Sequence, residues 1–339
     1  MRIGIIGSGF GLYGLFPAFN SVDGCKVVSV CGKKTDRLLS YCASVGPVSI
    51  YTDWQEMLKK EELDAVAIAV VPSAQFVIAK QALAQGLHVF AEKPLASSYE
   101  EASELCDLAF KYKRITAVDF IFPEIDEWQM VKQILEQKMY GNLKSISVAW
   151  DFLSYDIKNK IVSWKTNVKE GGGALSFYFS HVLYYLEYFG GKIKTIGGSL
   201  HYFPQESLGG GDVGVDVDMI FGNGVIGKAH LSCNSHDNHQ HVVTFECDNG
   251  SLTLKSMKGV TENFTVTVSS HGKDQIIPIR KLGKRNIEED ERVRVVSKIA
   301  ARFVKACNEN TKMTPSFDDG LRVEELIDIV RSNASVYVA

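Results

Sequence analysis

Residues 1–11 read MRIGIIGSGFG, and the stretch GIIGSGFG at 4–11 decides the fold. A short apolar run, RIGII at 2–6, gives way to closely spaced glycines and then to a segment of helical period, which is the order strand, turn, helix. Gly7 suits a tight turn, and Gly9 lets the backbone approach a pyrophosphate at a helix N-terminus, where unpaired N–H groups favour an anion. The third position of a G-x-G-x-x-G pattern falls on Leu12, with Gly11 beside it. Gly7, Gly9, Phe10, Gly11 and Leu12 are therefore the candidate cofactor-binding loop.

Outward from that loop, residues 1 to about 120 alternate apolar strands with amphipathic helices. The strands read RIGII (2–6), KVVSVC (26–31), VSIY (48–51), AVAIAVV (65–71), HVFA (88–91) and ITAV (115–118). They are continuously apolar, as strands of a parallel sheet covered on both faces should be. Asp53 with Glu56, and Ser98 with Glu101, fit capping-box helix starts, and Gly86 stands where a helix C′ residue belongs. The alternation predicts a doubly wound α/β domain over 1–120.

After that the period changes. EIDEWQMVKQILEQK (124–138) places Ile125, Trp128, Val131 and Leu135 on one helical face. Alternating segments follow, with turn signals in FGNGV (221–225) and CDNGS (247–251). Residues 121–339 are expected to form a second α/β domain with a large, mostly antiparallel open sheet. KLGKRNIEEDERVR (281–294) reads as a solvated loop running into a helix, and FDDGLRVEELIDIVRSNA (317–334) as an amphipathic closing helix.

The chain has 339 residues and a formal net charge of −3, without the basic stripe of a nucleic-acid binder. Its seven cysteines contain no C-x-x-C pair, which reads as reduced thiols in a cytoplasmic protein. The start lacks a signal-peptide core, and the longest apolar run is too short to cross a bilayer.

The second strand ends VCGKK (30–34). Gly32 offers no carboxylate to ribose hydroxyls, whereas Lys33 and Lys34 offer charge to a 2′-phosphate, which favours NADP over NAD. The fifth strand ends LHVFAEKPLA (87–96), placing Glu92, Lys93 and Pro94 where ligands of open α/β sheets bind. A lysine there calls for a use, because burying its ammonium unpaired is costly.

Four stretches together, GIIGSGFG, AEKPLA, WKT…GGGAL…SH (164–181) and PSFDDGLRV (315–323), resemble the glucose–fructose oxidoreductase, inositol dehydrogenase and MocA-type (Gfo/Idh/MocA) family. The resemblance spans nearly the whole chain. It implies an N-terminal Rossmann domain and a C-terminal domain whose open sheet often forms a homodimer or homotetramer face. It also implies hydride transfer between a nicotinamide and a carbon bearing hydroxyl or carbonyl in a sugar, cyclitol or nucleotide-sugar. Lys93 matches the family lysine near nicotinamide and substrate, and Pro72 matches a proline at a cofactor-lining strand end. Gln75 stands where the family commonly carries histidine.

GGGALSFYFSH (171–181) follows the family pattern G-G-G-A-L-x-D-x-G-x-H through Leu175 and again at His181, but the Asp position is Phe177 and the later Gly is Phe179. A phenyl ring cannot relay a proton. Either Lys93 and His181 are the catalytic pair, with the aromatics reshaping the pocket, or the chain is a dinucleotide-binding regulatory or scaffold protein. A net non-redox reaction, with hydride taken and returned, is a third course. Helical spacing puts Tyr178 and Tyr185 on the His181 face, where either phenol could hold the imidazole. Tyr178, Trp164 and Lys165 are candidate substrate contacts. HLSCNSHDNHQH (230–241) collects zinc-type ligands, but on a strand, a turn and a second strand they should diverge, and no metal is expected.

Overall fold

The computed structural model describes residues 1–203, 208–279 and 289–338. Its contacts divide the chain into two units, Met1–Ile121 with Lys284–Glu324, and Phe122–Gly283 with Glu325–Ala339.

In the first unit six strands, β1 (Arg2–Ile6), β2 (Lys26–Cys31), β3 (Ser49–Tyr51), β4 (Ala65–Ile68), β5 (His88–Ala91) and β6 (Thr116–Val118), are all parallel in the order β3-β2-β1-β4-β5-β6. Helices α1 (Phe16–Asn20), α2 (Asp36–Val45), α3 (Trp54–Lys60), α4 (Pro72–Ala84) and α5 (Tyr99–Tyr112) make the crossovers. The order reverses between β1 and β4, which makes their carboxyl ends the place for a ligand. All of β4 and β6 is buried, as the unbroken apolar runs require of strands covered on both sides. β4 ends at Ile68 rather than 71, because Pro72 opens α4 and the three residues between carry the turn. Asp53 and Ser98 cap α3 and α5, accepting from the N–H groups of Gln55 (2.8 Å) and Glu101 (3.3 Å). Neither expected capping box closes: Glu101 takes the Ser97 N–H and Glu56 pairs with Lys60.

In the second unit α6 (Asp126–Glu136), β7 (Leu143–Asp151), α7 (Tyr155–Lys158) and α8 (Ser180–Gly190) precede seven strands, β8 (Ile193–Tyr202), β9 (Gly214–Phe221), β10 (Ile226–Ser232), β11 (Gln240–Cys247), β12 (Gly250–Ser256), β13 (Thr265–Ser270) and β14 (Lys273–Ile277). Later in the chain come α9 (Val293–Glu309), which groups with the first unit, α10 (Phe317–Asn333), whose residues divide between the units after Glu324, and β15 (Ser335–Val338) of the second. The sheet runs β14-β13-β12-β11-β7-β10-β9-β8-β15, antiparallel except at β10/β7 and β15/β8. Alternation sets its faces: Val215, Val217, Met219 and Phe221 of β9 are buried, while Asp216, Asp218 and Ile220 point the other way. Asp248 and Asn249 form a two-residue hairpin loop, since Cys247 pairs with Gly250. On α6 the buried stripe is Trp128, Val131 and Ile134, with Leu135 at its margin rather than within it.

The later residues correct one expectation. Everything after 120 reads as a second domain in the sequence, but Lys284–Glu324 groups with the first unit. The reason is packing. Phe303 of α9 meets the rings of Phe19 (6.1 Å) and Phe90 (5.8 Å), both in the first unit's core. The 281–294 loop expectation falls mostly on 281–288, outside the described residues.

Candidate active site

Gly7 sits at the end of β1 with φ of +124°. A Cβ there would lie 2.2 Å from the carbonyl oxygen of Ala69, the residue after β4, so this close crossing at the switch point admits only glycine. The Gly7 N–H donates to Cys31 O at 2.8 Å, tying the loop to the end of β2. Next to it Ser8 packs so closely on Gly32 that a Cβ at 32 would be 2.6 Å from the serine Cβ. Gly32 therefore does more than lack a carboxylate: its bareness lets the two loops touch. In front of Gly9 there is nothing within 4 Å of an added Cβ, which is the room a pyrophosphate needs against the backbone. Gly11 begins a π-helical turn, Gly11–Leu15, ahead of α1, and Leu12 is buried in it.

Lys33 and Lys34 are exposed beyond Gly32. The sequence reading missed Arg37, in the first turn of α2, whose guanidinium lies 5.0 Å from the Tyr13 ring. It also missed Arg292, just before α9, which stacks 4.1 Å over Phe10 of the glycine loop. Its Nε and Nη2 each donate to Asp290 at 2.8 Å. Burial opposes the Arg292 charge, but the fork to Asp290 outweighs it and holds the guanidinium firmly protonated. No local pattern announces a residue 282 positions from its partner.

At the end of β5 the Lys93–Pro94 peptide is cis. Pro72 begins α4, and one turn later the buried Gln75 aims its amide nitrogen at three carbonyls of this loop, Glu92 O (2.7 Å), Pro94 O (3.0 Å) and Leu95 O (3.0 Å). Three acceptors require the NH₂ end there, so Gln75 clasps the Glu-Lys-Pro segment. Glu92 and the buried Asp119, at the end of β6, stand at adjacent strand ends, the Glu92 N–H donating to Ile68 O and the Asp119 N–H to Ala91 O, both at 2.9 Å. Burial pushes both carboxyls up, Asp119 well above the usual carboxylate range because Glu92 adds a like charge. An acid directly after the apolar strand ITAV was the available signal for Asp119.

The second unit builds its wall from rings. His181, in the first turn of α8, is buried with its imidazole edge-on to Phe122 at 5.1 Å. Neither tyrosine holds it, contrary to the helical-face expectation. Tyr185 Oη hydrogen-bonds His241 Nε2 (3.1 Å), and Tyr178 packs edge-on against Phe152 at 4.8 Å. The reason is local: Leu175–Phe179 form a π turn, whose wider winding rotates Tyr178 off the three-residue spacing. Phe177 meets Trp164 edge-on at 5.1 Å and Tyr178 at 4.5 Å, and Lys165 Nζ lies 4.9 Å from its ring centre. The structure thus gathers Trp164, Lys165, Phe177 and Tyr178. Beneath them the buried Asp212, also missed, accepts the Leu175 N–H at 2.7 Å, and burial raises its carboxyl to about 6. His241 lies flat on Trp150 at 4.4 Å, and burial lowers it to about 3.

The rest of the histidine-rich stretch disperses. His230 bonds Asp216 (2.7 Å) and Asp151 (3.1 Å), and Asp216 also bonds His201 (2.6 Å), a row across β7, β10, β9 and β8 on the face opposite the core. Among the described residues no three His, Cys, Asp or Glu side chains converge as metal ligands would.

Residues 1–120 match the model of an oxidoreductase family with an NAD-binding Rossmann fold, and residues 128–253 match the GFO/IDH/MocA C-terminal domain. The chain belongs to the GFO/IDH/MocA oxidoreductase family. Among its relatives in that family is an uncharacterized oxidoreductase of Synechocystis sp., 26% identical over 98% of this chain and 93% of that protein. The levoglucosan dehydrogenase of Pseudarthrobacter phenanthrenivorans is 24% identical over 99% and 96%. Among solved structures, levoglucosan dehydrogenase in complex with NADH and levoglucosan superposes with a TM-score of 0.87 at 20% identity, covering 98% of this chain and 96% of that one. KijD10, a 3-ketoreductase from Actinomadura kijaniata in complex with TDP-benzene and NADP, superposes at 0.81 and 19%, covering 100% and 99%. No helix among the described residues is long and apolar enough to cross a membrane.

Proposed function

We propose that this GFO/IDH/MocA protein is an NADP-preferring oxidoreductase of CH–OH groups in a sugar-like, cyclitol or nucleotide-linked alcohol or ketone. The observation that carries this reading is the switch-point loop, where Gly7 is compelled by the Ala69 carbonyl and the space before Gly9 stands open. The backbone of residues 7–12 would hold the pyrophosphate, with Phe10 braced by Arg292. Gly32, Lys33 and Lys34, with Arg37 behind them, suit a 2′-phosphate rather than ribose hydroxyls. When bound, the nicotinamide supplies or accepts the hydride.

Lys93 is the proposed acid/base: its ammonium hydrogen-bonds the reacting oxygen and stabilises charge developing there. Gln75 keeps that lysine's loop in place. His181 is proposed to orient substrate or move the second proton, and Trp164, Lys165 and Tyr178 to contact the sugar-like ring. Copies of the chain are proposed to pair through the outward face of the nine-stranded sheet, where Ile220 and Ile226 are cross-strand partners about half exposed. The seven unbridged cysteines support a reducing, cytoplasmic setting.

The test is a fluorescence titration with NADPH and NADH of wild type and Lys33→Ala. NADPH should bind at least tenfold more tightly, with the preference lost in the variant. Failure of both to bind at physiological concentrations overturns the reading. One observation favours a second reading, a dinucleotide-binding regulatory protein: Phe177 offers no carboxylate where the family pattern has one. Cofactor turnover abolished by Lys93→Met would exclude it.

A further inference from the structure

The outward face of the nine-stranded sheet carries a row of side chains that the proposed reaction does not use. Asp216 of β9 is the register partner of His230 of β10, and Asp151 of β7 lies two residues past the β7 partner of His230, Ala149. His230 Nδ1 is 2.7 Å from Asp216 Oδ1, and its Nε2 is 3.1 Å from Asp151 Oδ1. Both ring nitrogens therefore face carboxyl oxygens. A neutral imidazole has one donor and one acceptor, so it satisfies only one of two carboxylates. Both contacts require a proton on each nitrogen, or a proton on one of the carboxyls. The proton count is the same either way, and imidazole, at an ordinary 6.5, holds that proton in preference to a carboxyl ordinarily at about 4.

Both carboxyls are supplied with donors as ions are. Asp216 Oδ2 meets His201 Nε2 at 2.6 Å, and Asp151 Oδ2 accepts from the side-chain amides of Gln240 at 2.8 Å and Asn238 at 3.1 Å. Around them, Lys228 on the same strand as His230 pairs with Asp218 of β9 at 3.5 Å. His201 of β8 stacks on Tyr337 of β15 with ring centres 5.6 Å apart. Between β10 and β11, His236 and Asp237 are exposed, and His239 Nδ1 lies 3.0 Å from Met257 O. Burial opposes the His230 charge, but the bonds to Asp216 and Asp151 outweigh it and raise the imidazole above its ordinary value.

The row lies on the reverse of the ring-built wall. Asp151 and Gln240 are register partners, and so are Trp150 and His241, which alternation turns to the other face and which stack there at 4.4 Å. The polar pair thus backs the ring pair directly.

We propose that His230 is held as an imidazolium and clasps β7 to β9 across β10, a proton-dependent fastening behind the wall. When the proton leaves, one ring nitrogen becomes an acceptor facing an acceptor. The shorter bond, to Asp216, keeps its hydrogen, and the contact with Asp151, which has two amide donors already, opens. The strand ends bearing Trp150 and His241 then lose their side-chain tie to β9. The inference goes beyond the oxidoreductase reading and does not rest on it.

The experiment uses the full chain without cofactor or substrate. Deuterium exchange at the imidazole C2, read by mass spectrometry on the fragment carrying His230, gives its titration midpoint in wild type. That midpoint should lie about one pH unit or more above 6.5, and Asp216→Asn should lower it by about one unit or more. A midpoint at or below 6.5, or one unmoved in folded Asp216→Asn, overturns the proposal. Amide exchange over residues 149–153 and 228–233, corrected for the intrinsic rate, tests the clasp itself. Wild-type protection should drop about tenfold as pH rises through the midpoint, whereas His230→Gln, with no proton to lose, should be weakly protected throughout and show no drop. Level protection across the midpoint in wild type, or the same drop in His230→Gln, overturns the clasp. Should His230→Gln not fold, Asp216→Asn decides, since its drop must move down in pH with its midpoint. Should Asp216→Asn not fold, Asp151→Asn must lower the midpoint in the same way, and an unmoved midpoint there overturns the proposal.

Discussion

At the carboxyl ends of β1, β2 and β5, groups are placed by backbone. Gly7 is fixed by the Ala69 carbonyl, Gly32 by Ser8, and the Glu-Lys-Pro loop by three carbonyls on one Gln75 amide. Around His181 they are placed by rings: Phe122, Trp150, Phe177 and Tyr178 contact one another edge-on or tilted, and the few polar groups are threaded between them. The first arrangement tolerates no change of backbone geometry, whereas the second tolerates exchange of one ring for another at modest loss. On the proposed function, cofactor handling would be the rigid part of this chain and substrate handling the adaptable part.

The hardest test of that contrast is Gly7→Ala. A methyl group 2.2 Å from a carbonyl oxygen, at φ of +124°, cannot be accommodated by a rotamer change. Denaturant unfolding should show a loss of about 3 kcal/mol or more, with NADPH binding abolished. Wild-type stability in this variant would break the comparison at its stronger end.

A smaller effect should expose how the ring-built wall treats charge. Asp212, raised to about 6 from an ordinary 3.8, stabilises the fold fully only while protonated. Its contribution is present below about pH 4 and lost as pH rises through 6, so stability of wild type relative to Asp212→Asn should fall by about 3 kcal/mol between pH 4 and 7. His241, lowered to about 3 from 6.5, acts in the opposite sense. Its contribution is complete above pH 6.5 and declines on acidification, by about 2 kcal/mol at pH 5, and His241→Phe should remove that slope. Unfolding series at several pH values check both, and flat profiles would mean the wall is wetter than its packing indicates.

The same contrast explains what was legible in the sequence. β1, β2 and β5 read to the residue, and the other strands of the parallel sheet to within a few, because unbroken apolar runs bounded by Gly and Pro admit little else. Gly7 and Lys93 were legible because a turn and a strand end each demand a residue type. Asp119 and Gln75 were visible as letters but not as partners, since their bonds join separate elements. Arg292 and Asp212 were invisible, their contacts lying far along the chain. The Tyr178 expectation failed on a π turn, whose winding no apolar period reports, and the Tyr185 expectation because its hydroxyl pairs with His241 instead.

The finest test is Phe177→Asp, which restores the carboxylate of the family pattern to the aromatic wall. The edge-on contacts with Trp164 and Tyr178 go, at about 1 kcal/mol, while Lys165 exchanges a ring face for an ion pair. The protein should therefore fold, with melting lowered by a few degrees. If the wall is shaped for the substrate, kcat/KM for a substrate that wild type turns over should fall, by about tenfold or less, because an apolar contact becomes a hydrated charge. A rise of tenfold or more would reverse the argument. It would mean that a proton path is missing at position 177 in wild type, that Lys93 and His181 do not suffice for turnover, and that the adaptable wall had adapted away from catalysis.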